Sequence, residues 1–257
     1  MALYNINNII PQLSQDNKLK IVKNSFIKLF ENIFILMKIQ KFSKEELEKI
    51  CKIEGAGNFE NALRLDKGVI VISGHFGNWE LPVILPLFYP EADFITIGKR
   101  QKPEFLNNFL FELRENFGSK VTESKNALVP VYKTLRRKGV AGFIIDQRSK
   151  KKDSVTVDFF GKKIPCTSAP AYFALKTGAP VLFCFTEKME NRDGYILNIT
   201  EEIKLDRDKD KDFNTLLQIN TQILHDKIAD RILKNPDNWY WLHSKFKSKR
   251  RVLKEIR

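Results

Sequence analysis

The stretch VISGHFGNWELP, Val71 to Pro82, decides how this chain is interpreted, because it joins an apolar run to a histidine set between two glycines. The run GVIVIS, Gly68 to Ser73, is rich in β-branched residues and predicts a buried strand. Gly74 and Gly77 flank His75, which favours a sharp turn and a close approach of substrate to the backbone. NWELP then predicts the start of a helix. The stretch is therefore typical of the strand, loop and helix of an α/β fold.

Short apolar runs bounded by glycine or charge recur along the 257 residues and alternate with helical patterns. This alternation predicts an α/β fold, a single domain with a mostly parallel mixed β-sheet flanked by helices. The predicted strands are Gly68–Ser73, Asp93–Gly98, Val140–Asp146 and Ala179–Phe185, with VTVDFFG and YILNITEEI as antiparallel edge strands. The predicted helices cover PEFLNNFLFELRENFG, from Pro103 to Gly118, ALVPVYKTLRRKG, closed by Gly139, and about Phe213 to Leu233.

The N-terminal part of the chain predicts a helical hairpin. Asn17 to Lys38 has a helical pattern, and Ser43 with Glu46 forms a capping box that starts a second, short helix. We therefore divide the chain into a helical segment, 1–55, which is a candidate for membrane association, an α/β domain, 56–250, and a basic tail, 251–257.

One helical stretch is amphipathic. FIKLFENIFILMKI, Phe26 to Ile39, has one polar face and one apolar face. The polar face carries Lys28, Glu31 and Asn32, and the apolar face carries Phe30, Ile33, Phe34 and Met37. The apolar face fits either packing against the core or lying on a membrane surface. No segment approaches the roughly 20 uninterrupted apolar residues of a membrane span, so we expect a peripheral or monotopic protein.

The chain is strongly basic, with 44 Lys and Arg against 31 Asp and Glu, a formal charge of +13. Such a charge attracts nucleic acid, an anionic membrane or an acidic carrier protein, although lysines also simply solvate surfaces. No nucleic-acid-binding motif accompanies the charge, so a basic nucleic-acid-binding protein is only an alternative. The basic clusters are Lys99, Arg100 and Lys102; Arg148, Lys150, Lys151 and Lys152; and the terminal KFKSKRRVLKEIR.

The three cysteines indicate a reducing compartment. Cys51, Cys166 and Cys184 are widely spaced without a CxxC pair, so we expect reduced core residues and a cytoplasmic setting.

His75 admits four interpretations. A dinucleotide or phosphate loop would need GxGxxG or GxxxxGK, and GHFGNWE has neither. A metal site would need further ligands, and His225 and His243 are distant in sequence, so we expect no metal. A structural histidine in a core turn is the third interpretation. The fourth is a general base oriented by a carboxylate, with Glu80 as its partner.

The chain has no local nucleophile elbow of the GxSxG type. A histidine–carboxylate pair without an enzyme nucleophile suits direct attack by a substrate hydroxyl on an activated acyl group. The fourth interpretation therefore indicates acyl transfer.

HFGNWE closely resembles the HxxxxD/E motif of glycerolipid acyltransferases, and its glutamate variant looks like the lauroyl/myristoyl acyltransferases of lipid A biosynthesis, in the lysophospholipid acyltransferase-like superfamily. The similarity runs in order from about Asn8 to Arg250. It includes Arg100 in GKRQKP, Arg114 at the end of the next helix, Asp146 before a loop, the FFG turn, and the terminal PDNWYWLHSKFK.

The resemblance implies that His75, oriented by Glu80, deprotonates a 3-hydroxyacyl hydroxyl of a lipid A precursor. The resulting alkoxide then attacks the thioester of an acyl carrier protein. The resemblance implies no cofactor beyond the acyl donor, and location on the cytoplasmic face of the inner membrane. Acyl-CoA as donor and a phosphatidylinositol mannoside, glycerol phosphate or aminolipid as acceptor are the alternatives. The implied substrate-binding residues are Arg100, Arg114, Asp146, Gly77 and Asn78.

Further expectations concern individual residues. Asp146 is expected to pair with an arginine of the site or to cap a loop, and Gly77 to Trp79 or Arg114 to stabilise the oxyanion. The terminal residues Trp239, Trp241 and His243 are expected to pack rather than to do chemistry. Two departures from the family pattern are Lys245 in place of an arginine and the absence from this sequence of the N-terminal anchor helix.

Overall fold

A buried strand, Val69–Ser73, lies at the centre of the fold. The structure is a computed structural model that describes residues 1–100, 102–149, 154–190 and 193–246. Within these residues, seven strands form one sheet in the order β1-β9-β8-β2-β5-β3-β4, and a separate pair, β6 and β7, forms a hairpin. The strands are Cys51–Glu54 (β1), Val69–Ser73 (β2), Phe94–Gly98 (β3), Ser119–Glu123 (β4), Val140–Ile144 (β5), Ser154–Phe159 (β6), Lys162–Thr167 (β7), Val181–Lys188 (β8) and Tyr195–Ile199 (β9).

Helices cover both faces of the sheet. They are Ala2–Ile9 (α1), Gln15–Ile39 (α2), Lys44–Ile50 (α3), Ala56–Arg64 (α4), Leu85–Phe88 (α5), Glu104–Asn116 (α6), Leu128–Arg136 (α7), Ala169–Thr177 (α8) and Phe213–Lys234 (α9). Short 3-10 turns occupy Leu81–Ile84 and Pro236–Asn238. The helix expected at NWELP thus begins as a 3-10 turn at Leu81, whereas the capping box of Ser43 and Glu46 is confirmed.

The two faces bury two separate groups of apolar side chains. Along β2, Ile70 and Ile72 point to a core formed with α1, α7, α8 and α9, and Val69 and Val71 point to a core formed with α3, α4 and α6. This alternation follows from the two-residue period of a strand. A strand covered on both faces has no polar position, which explains why β2 reads as a continuous apolar run.

The predicted α/β fold with a mostly parallel mixed sheet is confirmed, and the two predicted edge strands lie elsewhere. YILNITEEI contributes β9, which is antiparallel to β8 but lies between β8 and β1. VTVDFFG forms β6 of the hairpin, outside the main sheet, and the hairpin turn uses Phe160 and Gly161 with φ of 55° and 70°. Two positive φ values are typical of a turn whose twist matches a β-hairpin. The sheet edges are β1 and β4, which the sequence analysis missed.

Helix α2 presents its apolar face outward. Phe30, Phe34 and Met37 are 59%, 64% and 56% exposed, as part of a stripe that also includes Phe26, Ile27 and Ile33. Its polar side faces the protein: Lys28 donates to the Asp237 carbonyl at 2.7 Å and Asn32 to the Gly77 carbonyl at 2.6 Å. The expectation that this apolar face packs against the core is therefore wrong. We call the stripe the outer face of α2.

The N-terminal helices pack on the same cores as the rest of the chain. Ile6 of α1 is fully buried in the core that contains β2, and the Asn5 amide donates to the carbonyls of Trp241 and His243. The predicted basic residues Lys150 to Lys152 and the tail 251–257 lie outside the described residues.

Candidate active site

Two parallel neighbours of the sheet bring the central residues of the site together. β2 pairs with β5 in parallel, with Ser73 opposite Ile144. The chain leaves both strands at the same edge, where ligands gather in open α/β sheets. His75 follows β2 by two residues and Asp146 follows β5 by two residues, so they become neighbours across the strand ends.

Asp146 holds His75 through two hydrogen bonds. Its Oδ1 lies 2.7 Å from Nδ1 of the imidazole, and its Oδ2 accepts the His75 backbone N–H at 2.9 Å. The indole N–H of Trp239 donates to the same Oδ2 at 2.8 Å. Asp146 is fully buried, whereas the side chain of His75 is 14% exposed. The contacts therefore fix one edge of the imidazole and leave a small part of the ring open.

The charges of the pair stabilise each other. Burial raises the pKa of Asp146, but the charge and hydrogen bond of His75 outweigh burial and hold the pKa well below its usual range. Burial lowers the pKa of His75, but the charge and hydrogen bond of Asp146 more than offset it and raise the pKa above 6.5. Asp146 is therefore ionised at neutral pH, and Nδ1 carries the proton that it accepts.

The carboxylate bound to His75 is thus Asp146, and the predicted His75–Glu80 hydrogen bond is wrong. Glu80 instead accepts from Arg114, with Nη2 at 2.8 Å from both carboxylate oxygens and Nε at 3.2 Å from Oε2. The side chains of this pair are only 12% and 10% exposed. Arg114 pairs with Glu80, and Asp146 pairs with His75. The expected pairing of Asp146 with an arginine is therefore wrong as well. Glu80 acts on His75 through its charge alone.

The other predicted substrate-binding residues are dispersed. Arg100 is exposed and pairs with Glu104 at 3.4 Å. Asn78 is fully buried, which removes its side chain from direct contact with a substrate in this conformation. Gly77 has φ +51°, and a Cβ there would clash with the Thr186 carbonyl. Close packing against β8 thus requires glycine at this position, and the contact of Gly77 with a substrate stays a prediction.

The segment after α9 completes the site, which the sequence analysis missed. Phe76 and Trp239 form an isolated antiparallel bridge, and the Tyr240 N–H donates to the His75 carbonyl at 2.9 Å. The rings of Trp79, Tyr240 and His243 surround the imidazole, with centroids 5.1, 6.1 and 6.0 Å away. The WYWLH run of the terminal motif was the available signal. The expectation of packing holds for Trp241, whereas Trp239 directly supports Asp146.

The two remaining histidines are buried and neutral. Burial lowers the pKa of His243 to about 3 and that of His225 to about 4. The Nε2 atom of His243 lies 3.9 Å from Asp146 Oδ2, beyond hydrogen-bonding distance. Nδ1 of His225 lies 2.9 Å from the Thr221 carbonyl and Nε2 lies 3.2 Å from the Ile145 carbonyl, and the single N–H of the neutral ring donates to one of the two. Among the histidines, His75 alone thus has a raised pKa.

Lys245 is buried beneath the site. Its Nζ lies 3.6 Å from Cys166 Sγ and 4.2 Å from the centroid of the Phe159 ring. Burial lowers its pKa. Lys245 stands where the family pattern has arginine, and its side chain contacts only the protein interior and does not reach the surface. The three cysteines are free and buried, as predicted.

Metal-binding clusters and membrane-spanning helices are both absent from the described ranges. No three His, Cys, Asp or Glu side chains in these ranges come together as a metal site would require. None of the helices described has the length and apolar character needed to cross a membrane.

The fold and site define an α/β protein in which a buried aspartate holds a partly exposed histidine at the strand ends. The chain belongs to the bacterial lipid A biosynthesis acyltransferase family, whose profile matches residues 1–248.

Three relatives illustrate this similarity. The phosphatidylinositol mannoside acyltransferase of Mycolicibacterium smegmatis is 27% identical over 187 residues, 71% of this chain and 58% of the relative. The lipid A biosynthesis palmitoleoyltransferase of Escherichia coli is 23% identical over 251 residues, 97% of this chain and 78% of the relative. A lipid A biosynthesis acyltransferase of Haemophilus influenzae is 19% identical over 242 residues, 94% and 73% of the two chains. The chain thus spans less than two thirds of the mycobacterial relative.

Proposed function

We propose that this protein transfers a fatty acyl group from a thioester to a hydroxyl of a membrane lipid, with His75 as general base and Asp146 as its orienting carboxylate. The observation that carries the proposal is the 2.7 Å contact between Nδ1 of His75 and buried Asp146. It leaves Nε2 as the basic nitrogen of a neutral imidazole, which is the state that accepts a proton.

The reaction proceeds in two steps without an enzyme nucleophile. His75 Nε2 takes the proton of the acceptor hydroxyl while its oxygen attacks the thioester carbonyl, and the resulting imidazolium is stabilised by Asp146. The tetrahedral intermediate then collapses, the carbon–sulfur bond breaks, and His75 returns the proton to the leaving thiolate. The products are an ester and a free thiol, and no metal or further cofactor takes part.

The proposed acceptor is a hydroxyl of a lipid A precursor, as in the secondary acylation of lipopolysaccharide biosynthesis. The family and the Escherichia coli relative support this acceptor over nearly the whole chain. The second candidate is a glycolipid of the phosphatidylinositol mannoside type, which the name of the mycobacterial relative favours at slightly higher identity over a shorter segment.

The proposed donor is an acyl carrier protein, with acyl-CoA as the alternative. A basic face on α7 supports a carrier protein as donor. The exposed basic residues are Lys133, Arg136 and Arg137, and the exposed apolar residues nearer the start of the helix are Leu128 and Tyr132. From Leu128 to Arg136 a helix rises about 12 Å. Because α7 follows β4, the apolar end of α7 lies at the same edge of the sheet as His75. The basic residues of α7 lie farther along the side of the domain, separated from that apolar end by more than about one Debye length. An acidic protein docked against the side of the domain reaches both groups.

The donor is tested by charge reversal. Arg136→Glu combined with Arg137→Glu should raise KM for an acyl carrier protein and leave KM for acyl-CoA unchanged. Lys162→Glu, on the exposed hairpin, is the matched control. An equal effect on both donors would argue against a carrier site on α7.

We further propose that the protein binds the cytoplasmic face of the inner membrane through the outer face of α2. This face is apolar and solvent-exposed, and Asn32 of the same helix contacts Gly77, two residues after His75. A bilayer in contact with it would therefore lie beside the candidate active site.

Membrane binding is tested by flotation with anionic liposomes. Phe30→Asp combined with Phe34→Asp should abolish flotation without lowering the unfolding temperature, because both side chains face solvent. Leu233→Asp, at an exposed apolar position on α9, is the control and should still float. Flotation of the double variant at the wild-type level would contradict the proposal.

The function itself is tested by transfer of labelled acyl groups from acyl carrier protein to a tetra-acylated lipid A precursor, and in parallel to a phosphatidylinositol mannoside. His75→Ala should lose transfer while remaining folded. Asp66→Asn, an exposed carboxylate just before β2 and thus at the opposite edge of the sheet, should keep it. Steep salt-dependent binding to DNA without any acyl transfer would favour the nucleic-acid alternative.

A further inference from the structure

The carboxamide of Gln147 contacts the proposed base on its free edge. Its Nε2 lies 3.3 Å from Nε2 of His75, opposite the edge that Asp146 holds. Gln147 directly follows Asp146 in the chain, and its side chain is exposed. No role of Gln147 follows from the histidine–carboxylate pair itself.

The charge of Asp146 determines the direction of this hydrogen bond. Because Asp146 is ionised, Nδ1 of the neutral imidazole carries the hydrogen and Nε2 has the lone pair. The amide nitrogen of Gln147 therefore donates to Nε2. It occupies the position that the acceptor hydroxyl must take for its proton to be removed.

The backbone around Gln147 is held by hydrogen bonds, whereas its exposed side chain has one described contact, with His75. The Ile145 N–H donates to the Ser73 carbonyl at 2.9 Å, and the Ser149 N–H donates to the Pro165 carbonyl at 2.8 Å. The guanidinium of Arg148 donates to the Phe246 carbonyl at 3.1 Å. An arriving hydroxyl therefore displaces only the carboxamide, which stays within a few ångströms of the reacting atoms.

Two donors expected for the oxyanion are already engaged. The Gly77 N–H donates to the Asn238 carbonyl at 2.8 Å. Arg114 is bound to Glu80 by three hydrogen bonds and is buried. Neither group can turn to a substrate without breaking a buried contact, whereas Gln147 exchanges one hydrogen bond for another.

We propose that Gln147 is a catalytic residue whose carboxamide N–H moves from His75 to the thioester carbonyl oxygen when the acceptor hydroxyl binds, and there stabilises the oxyanion. Side-chain amides serve this role in oxyanion holes because they present a fixed dipole to the developing charge. The proposal rests on the acyl transfer proposed above. The proton balance does not change: Gln147 donates a hydrogen bond without losing its hydrogen.

Gln147→Met tests this role because methionine keeps the length of the side chain and removes both N–H donors. We expect kcat to fall by about 10²- to 10³-fold, the usual loss of one side-chain oxyanion donor. We expect KM for the acceptor to stay equal or to fall, because the hydroxyl no longer displaces an amide. Gln12→Met, an exposed glutamine in the loop after α1, is the matched control.

The outcomes separate the two proposals. If wild-type protein transfers acyl groups and Gln147→Met has the same kcat, or changes only KM, Gln147 is not an oxyanion donor and the proposed function stands. If wild-type protein transfers to neither acceptor, the proposed function fails and the role of Gln147 fails with it. Partial recovery of kcat in Gln147→Asn, which restores a shorter amide, would support the donor role.

Discussion

Replacing Asp146 with asparagine removes the charge that lies 2.7 Å from Nδ1 of His75. At a separation of about 4 Å and an effective dielectric constant near 20, two opposite unit charges attract by about 4 kcal/mol, so the loss of this charge strongly destabilises the imidazolium. Burial then dominates, so the pKa of His75 should fall below 6.5 in Asp146→Asn. Glu80 makes no hydrogen bond to His75 and has a smaller influence on its pKa, so Glu80→Gln should lower that pKa by less. Acyl transfer by Asp146→Asn should fall by about 10²- to 10⁴-fold, since an amide also permits the wrong tautomer.

The assay is an NMR titration of the histidine ring protons. His225 and His243 have pKa values of about 4 and about 3, so the histidine signal that titrates above pH 6 is that of His75. Asp66→Asn serves as the control for a lost surface carboxylate. The reasoning is refuted if Glu80→Gln lowers the pKa of His75 as much as Asp146→Asn does, because the controlling carboxylate would then be Glu80.

Three other outcomes follow from the same contacts. The transfer rate should fall as the pH drops through the raised pKa of His75, above 6.5, because the imidazolium cannot accept a proton; a rate unchanged down to pH 5 would argue against a histidine base. Trp239→Phe should lower both kcat and the unfolding temperature, because it removes a hydrogen bond to charged Asp146 worth about 1.5–3 kcal/mol and reduces the volume of a fully buried side chain. The pKa of Lys245 is 10.5 in the unfolded chain and lower in the folded protein. Between these two pKa values the unfolded chain binds more protons, so the free energy of unfolding should rise with pH. Lys245→Met should lack that rise when urea unfolding is compared at pH 8 and pH 10.

The parallel sheet was predictable from sequence because its central strands are buried on both faces. Runs such as Gly68–Ser73 and Ala179–Phe185 contain no charged residue and only one polar side chain, that of Ser73, so they stand out between charged helices. The edge strands did not stand out, because CKIE in β1 and SKVTE in β4 have polar side chains on one side. Antiparallel β9 has an apolar pattern, but its place between β8 and β1 depends on long-range pairing that composition does not encode.

The candidate site was predictable in its base but not in the partner of that base. Asp146 ends one predicted strand and His75 follows another by two residues, yet their contact required knowing that β2 and β5 are neighbours. Glu80 is the carboxylate nearest to His75 in sequence. Its actual partner, Arg114, lies on α6, 34 residues later in the chain. The orientation of helix α2 was predicted wrongly for a different reason. The helical periodicity of its apolar residues gave the correct two faces, but periodicity alone does not state which face contacts the protein.

The outward orientation of α2 also bears on how this protein behaves at high concentration. An apolar stripe of this kind tends to meet its counterpart on another molecule when no lipid covers it. Since α2 adjoins the loop that carries His75, such pairing would crowd the entrance to the site. Specific activity should therefore decline as the protein is concentrated in buffer and recover when a mild detergent is added.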